Sequence, residues 1–137
     1  MSNKFPLVSI VTVNYNQAEL TYKFLESVKA ISYPNIEIFI VDNGSDQPIE
    51  LSSDYDNVHF ICSKENLGFA GGNNLALRKC KGDYILLINN DTEVEKDFLK
   101  PLVDIMAENE TIGIVSPKII YFGSDNILQY AGYTQIN

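Results

Sequence analysis

Residues 84–91 read YILLINND, an apolar run from Tyr84 to Ile88 that stops at Asn89, Asn90 and Asp91. A short, continuous apolar run bounded by polar residues is the pattern of a strand buried on both faces, as in a parallel sheet. Its abrupt end puts a carboxylate where such a strand would surface, and α/β sheets bind ligands at the carboxyl ends of their strands. Asp91, flanked by amides with no Lys or Arg to pair it locally, is a candidate oxygen ligand for Mg²⁺ or Mn²⁺ carrying a diphosphate. The alternative is a helix cap. Asp91 or Thr92 ahead of the acidic residues Glu93, Glu95 and Asp97 suits a helix start equally well.

Working outward, Leu7 to Val13 is rich in β-branched residues and ends in Asn14, Tyr15 and Asn16. Leu20, Phe24, Leu25, Val28 and Ile31 then recur at helical spacing, and Pro34 closes that helix. Ile36 to Val41 reads as a second buried strand, residues 42–46 (DNGSD) as a turn, and Val58 to Cys62 as a third strand. A glycine-rich loop, Asn66 to Gly72, leads into a helix through Leu75, Ala76 and Leu77 to Lys81, with Gly82 as its C-cap. After the strand at Tyr84, Phe98, Leu99, Leu102, Val103 and Met106 form the buried stripe of another helix, and Ile112 to Val115 is a fifth strand. From Lys118 onward two apolar runs flank a turn at Gly123 to Asn126, the pattern of a hairpin. Strands alternating with helices of this length form βαβ units, so the fold class is α/β, Rossmann-like, a mainly parallel sheet with helices on both faces.

At 137 residues, 45% hydrophobic, the chain can bury a core of its own. A net charge of −8 with scattered lysines repels a nucleic-acid backbone, so no nucleic acid is expected as partner. A small nucleotide is not excluded, because a divalent metal can neutralise its phosphates in place of basic side chains. Cys62 and Cys80 are too few and too far apart for a zinc site or a disulfide framework and read as buried free thiols. The N-terminal apolar stretch is short and broken by Ser9 and Thr12, so neither a signal peptide nor a membrane-spanning helix is expected. The sequons at Asn43, Asn90 and Asn109 are then chance matches.

Three strands end in amides and acids: Asn14-Tyr15-Asn16, Asp42-Asn43 and Asn89-Asn90-Asp91. In a parallel sheet those ends share one edge, and polar groups gathered there need partners, which points to a polar ligand. Turns and caps use the same residue types, so any one cluster alone is ambiguous. Gly68, Gly71 and Gly72 give neither GxGxxG nor a P-loop, which disfavours a dinucleotide dehydrogenase and an NTPase. What remains is backbone that can approach a ligand closely, with Asn73 and Asn74 at a helix start suited to an anion or a sugar, or an ordinary turn onto a capped helix.

In order, SIVTVNYN, IFIVDNGSD, ENLGFAGGNN and YILLINNDTEV resemble the donor-binding half of family-two, GT-A-type inverting glycosyltransferases, over Val8 to about Val115. The variants VDNGS and NxGFAGGNN further resemble the rhamnosyltransferase-like branch, while Asn-Asn-Asp stands where Asp-x-Asp is usual. The resemblance implies a truncated GT-A fold, with residues 1–117 binding the nucleotide-sugar donor and residues 118–137 opening the acceptor side as a hairpin or exposed tail. It implies that Tyr15 packs against the base, that Asp42 accepts from the imide N–H of uracil or thymine, and that Asn90 faces the ribose. Asp91 would hold Mn²⁺ or Mg²⁺ against the diphosphate, stabilising the departing nucleoside diphosphate. Asn66, Gly68, Asn73 and Asn74 match the loop and helix start that face nucleotide and sugar.

The partners so implied are a UDP- or dTDP-linked sugar, with rhamnose as one candidate, and a glycan or lipid-linked acceptor. The expected location is the cytoplasm, peripheral to the inner face of the membrane. The family's general base follows the region matched, and Asp125 lies outside any matching motif, so the chain alone is expected to bind donor and transfer sugar poorly. A non-catalytic nucleotide-sugar-binding module, and a fragment that self-associates as a homodimer through its exposed C-terminal region, are the competing readings. His59 has no partner motif and reads as structural.

Overall fold

The computed structural model describes residues 5–50, 57–124 and 127–131. Two compact units divide the chain, residues 1–96 and 97–137.

The first unit is built on four strands. β1 (Val8–Asn14) is followed by α1 (Ala18–Lys29), β2 (Ile36–Asn43), β3 (Val58–Ser63), α2 (Gly68–Leu77) and β4 (Tyr84–Leu87). The strands run parallel in the order β3-β2-β1-β4. Two of the continuous apolar runs are interior strands for the reason given by their sequence: β1 and β2 are flanked on both sides and covered above and below. The run at Tyr84 is a strand but is not buried on both faces: β4 ends the four-stranded sheet, with Ile85 48% and Leu87 50% exposed. Val11, Phe39, Val41 and Ala76 form the core layer under α2, with Val13 and Ile61 packed against it. The alternate residues of β1 face α1, where Thr21 reaches Asn14 and where Phe24, Leu25 and Val28 are buried. Helices therefore cover both faces, and the α/β class read from the sequence is the class observed.

Three local readings change. The glycine-rich loop is itself helical: α2 begins at Gly68, so Asn73 and Asn74 sit mid-helix and not at its start. Glycine is a poor helix former by about 1 kcal/mol against Ala, but a Cβ on Gly72 would lie 3.0 Å from Val13 Cγ1 and 3.3 Å from Asn43 Cγ, so the missing side chain lets α2 lie close on the sheet. Gly82 is not a helix C-cap, since α2 ends at Leu77 with Arg78 as cap. A Cβ there would lie 2.6 Å from Ser9 N and Tyr84 O, so close approach to β1 is what requires glycine. Asp91 and Thr92 cap nothing, because the next helix, α3 (Leu99–Glu108), starts seven residues beyond Thr92 with Phe98 as its N-cap.

In the second unit Leu99 and Val103 are the buried positions of α3, within the expected stripe. Ile112 to Val115 forms no strand: an apolar run supplies no ladder by itself, and here it supplies no burial either, Ile114 being 89% exposed. β5 (Ile119–Ile120) pairs antiparallel with β6 (Leu128–Tyr130), and the turn between them uses Gly123 at φ +74°. Asp125 lies outside the described residues.

Candidate functional site

β1 leads through α1 to β2 on one side of the sheet, whereas β4 returns to the other side of β1, so the connections diverge between β1 and β4. A crevice opens at the carboxyl ends of strands at such a switch point. Here it is a cleft of about 370 Å³, lined by Tyr15 and Gln17 after β1, Asn43 on β2, Asn66, Gly68 and Phe69 at the start of α2, and Asn89, Asn90 and Asp91 after β4.

Each wall is held by its own hydrogen bonds. Asn16 takes φ 54°, a left-handed conformation that Asn tolerates. Its backbone N–H donates to Ser45 Oγ at 2.9 Å, and its Oδ1 accepts from Asp46 N at 2.9 Å, which fixes the turn carrying Tyr15. Tyr15 is 46% exposed along the cleft. Opposite, Asn43 clamps the start of α2: its Nδ2 donates to Asn66 Oδ1 and Gly68 O, and its Oδ1 accepts from Leu67 N. Asn66 Oδ1 also accepts from Gly68 N at 2.8 Å, capping the first turn from one residue further out than usual.

Beneath the floor runs a buried polar chain. Asn90 Nδ2 donates to Thr21 Oγ1 at 3.0 Å, Thr21 Oγ1 to Asn14 Oδ1 at 3.0 Å, and Asn14 Nδ2 to Asp42 Oδ2 at 2.9 Å. Asn14 and Asp42 are direct partners in the β1–β2 register. Asp42 accepts further from Ser45 N and Ile49 N and is fully buried.

Of the residues expected from the sequence to contact a ligand, Tyr15, Asn66, Gly68, Asn90 and Asp91 come together on this one cleft. Asp42 sits below it, satisfied by protein donors. Asn73 is buried with its Nδ2 bonded to Phe69 O at 2.9 Å, one turn back in the same helix, and Asn74 is exposed on α2. Sequence reasoning placed Asn43 and Asn89 in the strand-end clusters at this edge without giving either a role of its own, and it missed Gln17 and Phe69 as cleft residues. For Phe69 the signal was an aromatic inside a glycine-rich stretch, and it stands 63% exposed at the rim.

Asp91 is the cleft's acid, and among the described residues no three His, Cys, Asp or Glu side chains gather to hold a metal ion. Asp91, next in sequence to two amides on the same cleft, offers a hard carboxylate oxygen. It fits Mg²⁺ or Mn²⁺ only where a ligand's phosphates complete the coordination. The groups with displaced titration lie elsewhere. Burial pushes the Glu37 carboxyl up, but hydrogen bonds from Ser9 Oγ and Lys81 N and the charges of His59 and Lys81 outweigh it, leaving Glu37 below its usual 4.5. Burial raises the Cys80 thiol. Neither cysteine is fully buried as the sequence suggested: Cys80 is half-buried and Cys62, on β3, is exposed.

This sheet order with a polar cleft at its switch point defines an α/β domain of the GT-A kind. The chain belongs to glycosyl transferase family 2, whose pattern matches residues 9–133. It is 32% identical to the putative teichuronic acid biosynthesis glycosyltransferase TuaG of Bacillus subtilis over 79% of this chain and 45% of that protein. It is 38% identical to the UDP-Glc:alpha-D-GlcNAc-diphosphoundecaprenol beta-1,3-glucosyltransferase WfaP of Escherichia coli over 62% of this chain and 35% of that one. Among solved structures, the S. aureus TarS fragment 1–349 superposes with a TM-score of 0.68 at 22% identity, over 76% of this chain and 33% of that fragment. The mannosyltransferase PcManGT of Pyrobaculum calidifontis, in complex with GDP-Man and Mn²⁺, superposes with a TM-score of 0.64 at 23% identity, over 74% and 32%. The chain spans 36% to 45% of the length of the first curated relatives it matches.

Proposed function

We propose that this chain is the donor-binding part of an inverting glycosyltransferase that moves a sugar from a nucleoside diphosphate to an acceptor hydroxyl. The observation that carries it is the meeting of Tyr15, Asn66, Gly68, Asn90 and Asp91 on one cleft at the switch point, from segments far apart in sequence. In this reading Tyr15 supplies a flat face for the base, Asn90 meets the ribose, and the start of α2 faces the diphosphate or the sugar, where helix N–H groups favour an anion. Asp42 acts on the base only through the loop from Ser45 to Ile49, whose N–H groups it holds. Asn73 and Asn74 have no direct role in this cleft.

Asp91 would hold Mn²⁺ or Mg²⁺, with Asn89 and Asn90 beside it. When bound, such an ion supplies Lewis-acid stabilisation of the departing diphosphate. PcManGT, solved with GDP-Man and Mn²⁺, and TarS, solved with UDP-GlcNAc, support the ligand class. A rhamnosyl donor rests on the VDNGS and NxGFAGGNN motifs, and a lipid-linked acceptor at the inner membrane face on the acceptor named for WfaP. With Asp91 given to the metal, no second acid lines the cleft among the described residues, so an acceptor would be deprotonated by a base outside that lining. That same fact favours, as a second reading for this chain alone, donor binding without transfer.

Calorimetric titration with UDP, dTDP and GDP, each with and without Mn²⁺, tests the proposal against Asp91→Ala. Metal-dependent binding of one nucleotide, abolished by the substitution, is expected. Absence of binding to all three would refute it.

A further inference from the structure

The buried chain below the cleft has a direction, and that direction decides what the cleft offers a ligand. We infer that Thr21, which touches no ligand, is a positioning residue that turns the Asn90 amide so that its carbonyl oxygen, not its NH₂, faces the cleft. The consequence is a site selective for a hydroxyl donor, the ribose hydroxyls of a nucleotide; this clause rests on the donor-binding reading above.

Begin at the far end. The Asp42 carboxylate accepts from the main-chain N–H groups of Ser45 and Ile49, and Asn14 Nδ2 is its third donor. That sets Asn14 with its NH₂ toward Asp42 and Ser45 Oγ and its Oδ1 toward α1. Asn14 Oδ1 can only accept, and it takes the Thr21 hydroxyl at 3.0 Å, with Gln17 O a longer alternative at 3.3 Å. A hydroxyl has one hydrogen and can otherwise only accept. Thr21 therefore has a lone pair left for Asn90, which must present Nδ2 and does so at 3.0 Å.

Asn90 is 7% exposed and lines the cleft, so its remaining polar atom is decided by elimination. No protein donor among the described residues meets Asn90 Oδ1. Nor is that oxygen sealed off: Thr12 Oγ1 is the buried side-chain polar atom left without a partner among the described residues. Asn90 Oδ1 is thus the open acceptor on the floor. Flipping the amide would set an oxygen against the Thr21 lone pair and reverse the chain as far as Asn14, so the presentation is locked from below.

The test compares wild type, Thr21→Ser and Thr21→Val on ¹⁵N-labelled protein. One Asn90 Nδ2 proton should exchange slowly with water in wild type and Thr21→Ser, and at least about tenfold faster in Thr21→Val, where the acceptor is gone. The second readout is the affinity ratio of the nucleotide that wild type binds to its 2′,3′-dideoxy analogue. One hydrogen bond predicts a preference of about two- to tenfold for the hydroxylated form. Thr21→Val should bring the ratio toward one with the dideoxy affinity little changed, and Thr21→Ser should keep it. A structural role alone would weaken both ligands equally, and that result, or a slow Asn90 proton in Thr21→Val, overturns the inference. Should Thr21→Val not fold, Thr21→Ala takes its place, and fast exchange at Asn90 in wild type would already refute the chain. Absence of nucleotide binding with a slow Asn90 proton supports the locked amide while refuting the donor-site reading.

Discussion

Replacing Gly44 by Ala tests whether the turn after β2 is held by main-chain contact. Gly44 has φ +80°, and an added Cβ would lie 2.5 Å from Glu65 C and 2.7 Å from Asn66 N. Gly68 has φ +71°, yet an added Cβ there meets nothing within 4 Å. Both substitutions incur the left-handed penalty of an L-residue, about 1–2 kcal/mol, and both restrict the unfolded chain alike. They differ in the collision. Overpacking costs about 1–3 kcal/mol, and the obstacle at Gly44 is main chain with no rotamer to escape into. We expect Gly68→Ala to lose about 1–2 kcal/mol and Gly44→Ala about 2–5 kcal/mol. Urea unfolding followed by circular dichroism gives both values, provided the slopes agree with wild type. If the two variants lie within about 0.5 kcal/mol of each other, the turn is not pressed against residues 65 and 66 and the reasoning fails.

Thr12→Val removes the buried hydroxyl without a partner and should raise stability by about 1 kcal/mol in the same assay; a loss would show that the hydroxyl is satisfied. Asn43→Ala removes the Asn43 hydrogen bonds to Leu67 N, Gly68 O and Asn66 Oδ1, the last of which keeps its Gly68 N–H donor, so a loss of about 1–3 kcal/mol is expected. Hydrogen exchange at the Leu67 amide should then rise, and unchanged protection would refute the clamp. Glu37 has its folded pKa lowered below 4.5, so the stability it contributes is present above that value and is lost as pH falls through the folded pKa. Glu37→Gln should therefore flatten the acid limb of a stability profile below pH 4.5, and an unchanged limb would count against the Ser9 and Lys81 contacts.

The strands were legible as unbroken apolar runs, and Leu7–Val13, Ile36–Val41 and Tyr84–Ile88 each fall within a residue or two of an observed strand; burial on both faces explains the run in β1 and β2 but not in β4, where Ile85 and Leu87 are half exposed. Helix α2 was not, because local propensity argues against a helix that starts on glycines, while the reason for Gly72, the closeness of Val13 and Asn43, is a contact made in space. Ile112–Val115 misled for the opposite reason: its composition suits a strand, but a strand exists only where a neighbour completes the ladder. At the cleft, residue types were visible at three strand ends, but their division of labour was not. That Asp42 lies beneath the floor and Asn90 upon it depends on partners such as Thr21, 69 residues from Asn90 in sequence.

The in-register pairing of Asn14 with Asp42 also bears on how the chain finds its fold. Parallel strands of similar apolar composition have little in their side chains to tell one alignment from the next, and a slip of one residue turns every side chain to the opposite face. Such a slip between β1 and β2 would set Asp42 opposite Val13, on the face shared with Val41 and Ala76 and away from Asn14, its side-chain partner. Removing the partner of a buried charge costs about 3–5 kcal/mol, a large share of the stability of a small domain. One acid placed at the end of an apolar strand thus acts as an error check on assembly, rejecting misaligned sheets before any ligand is met.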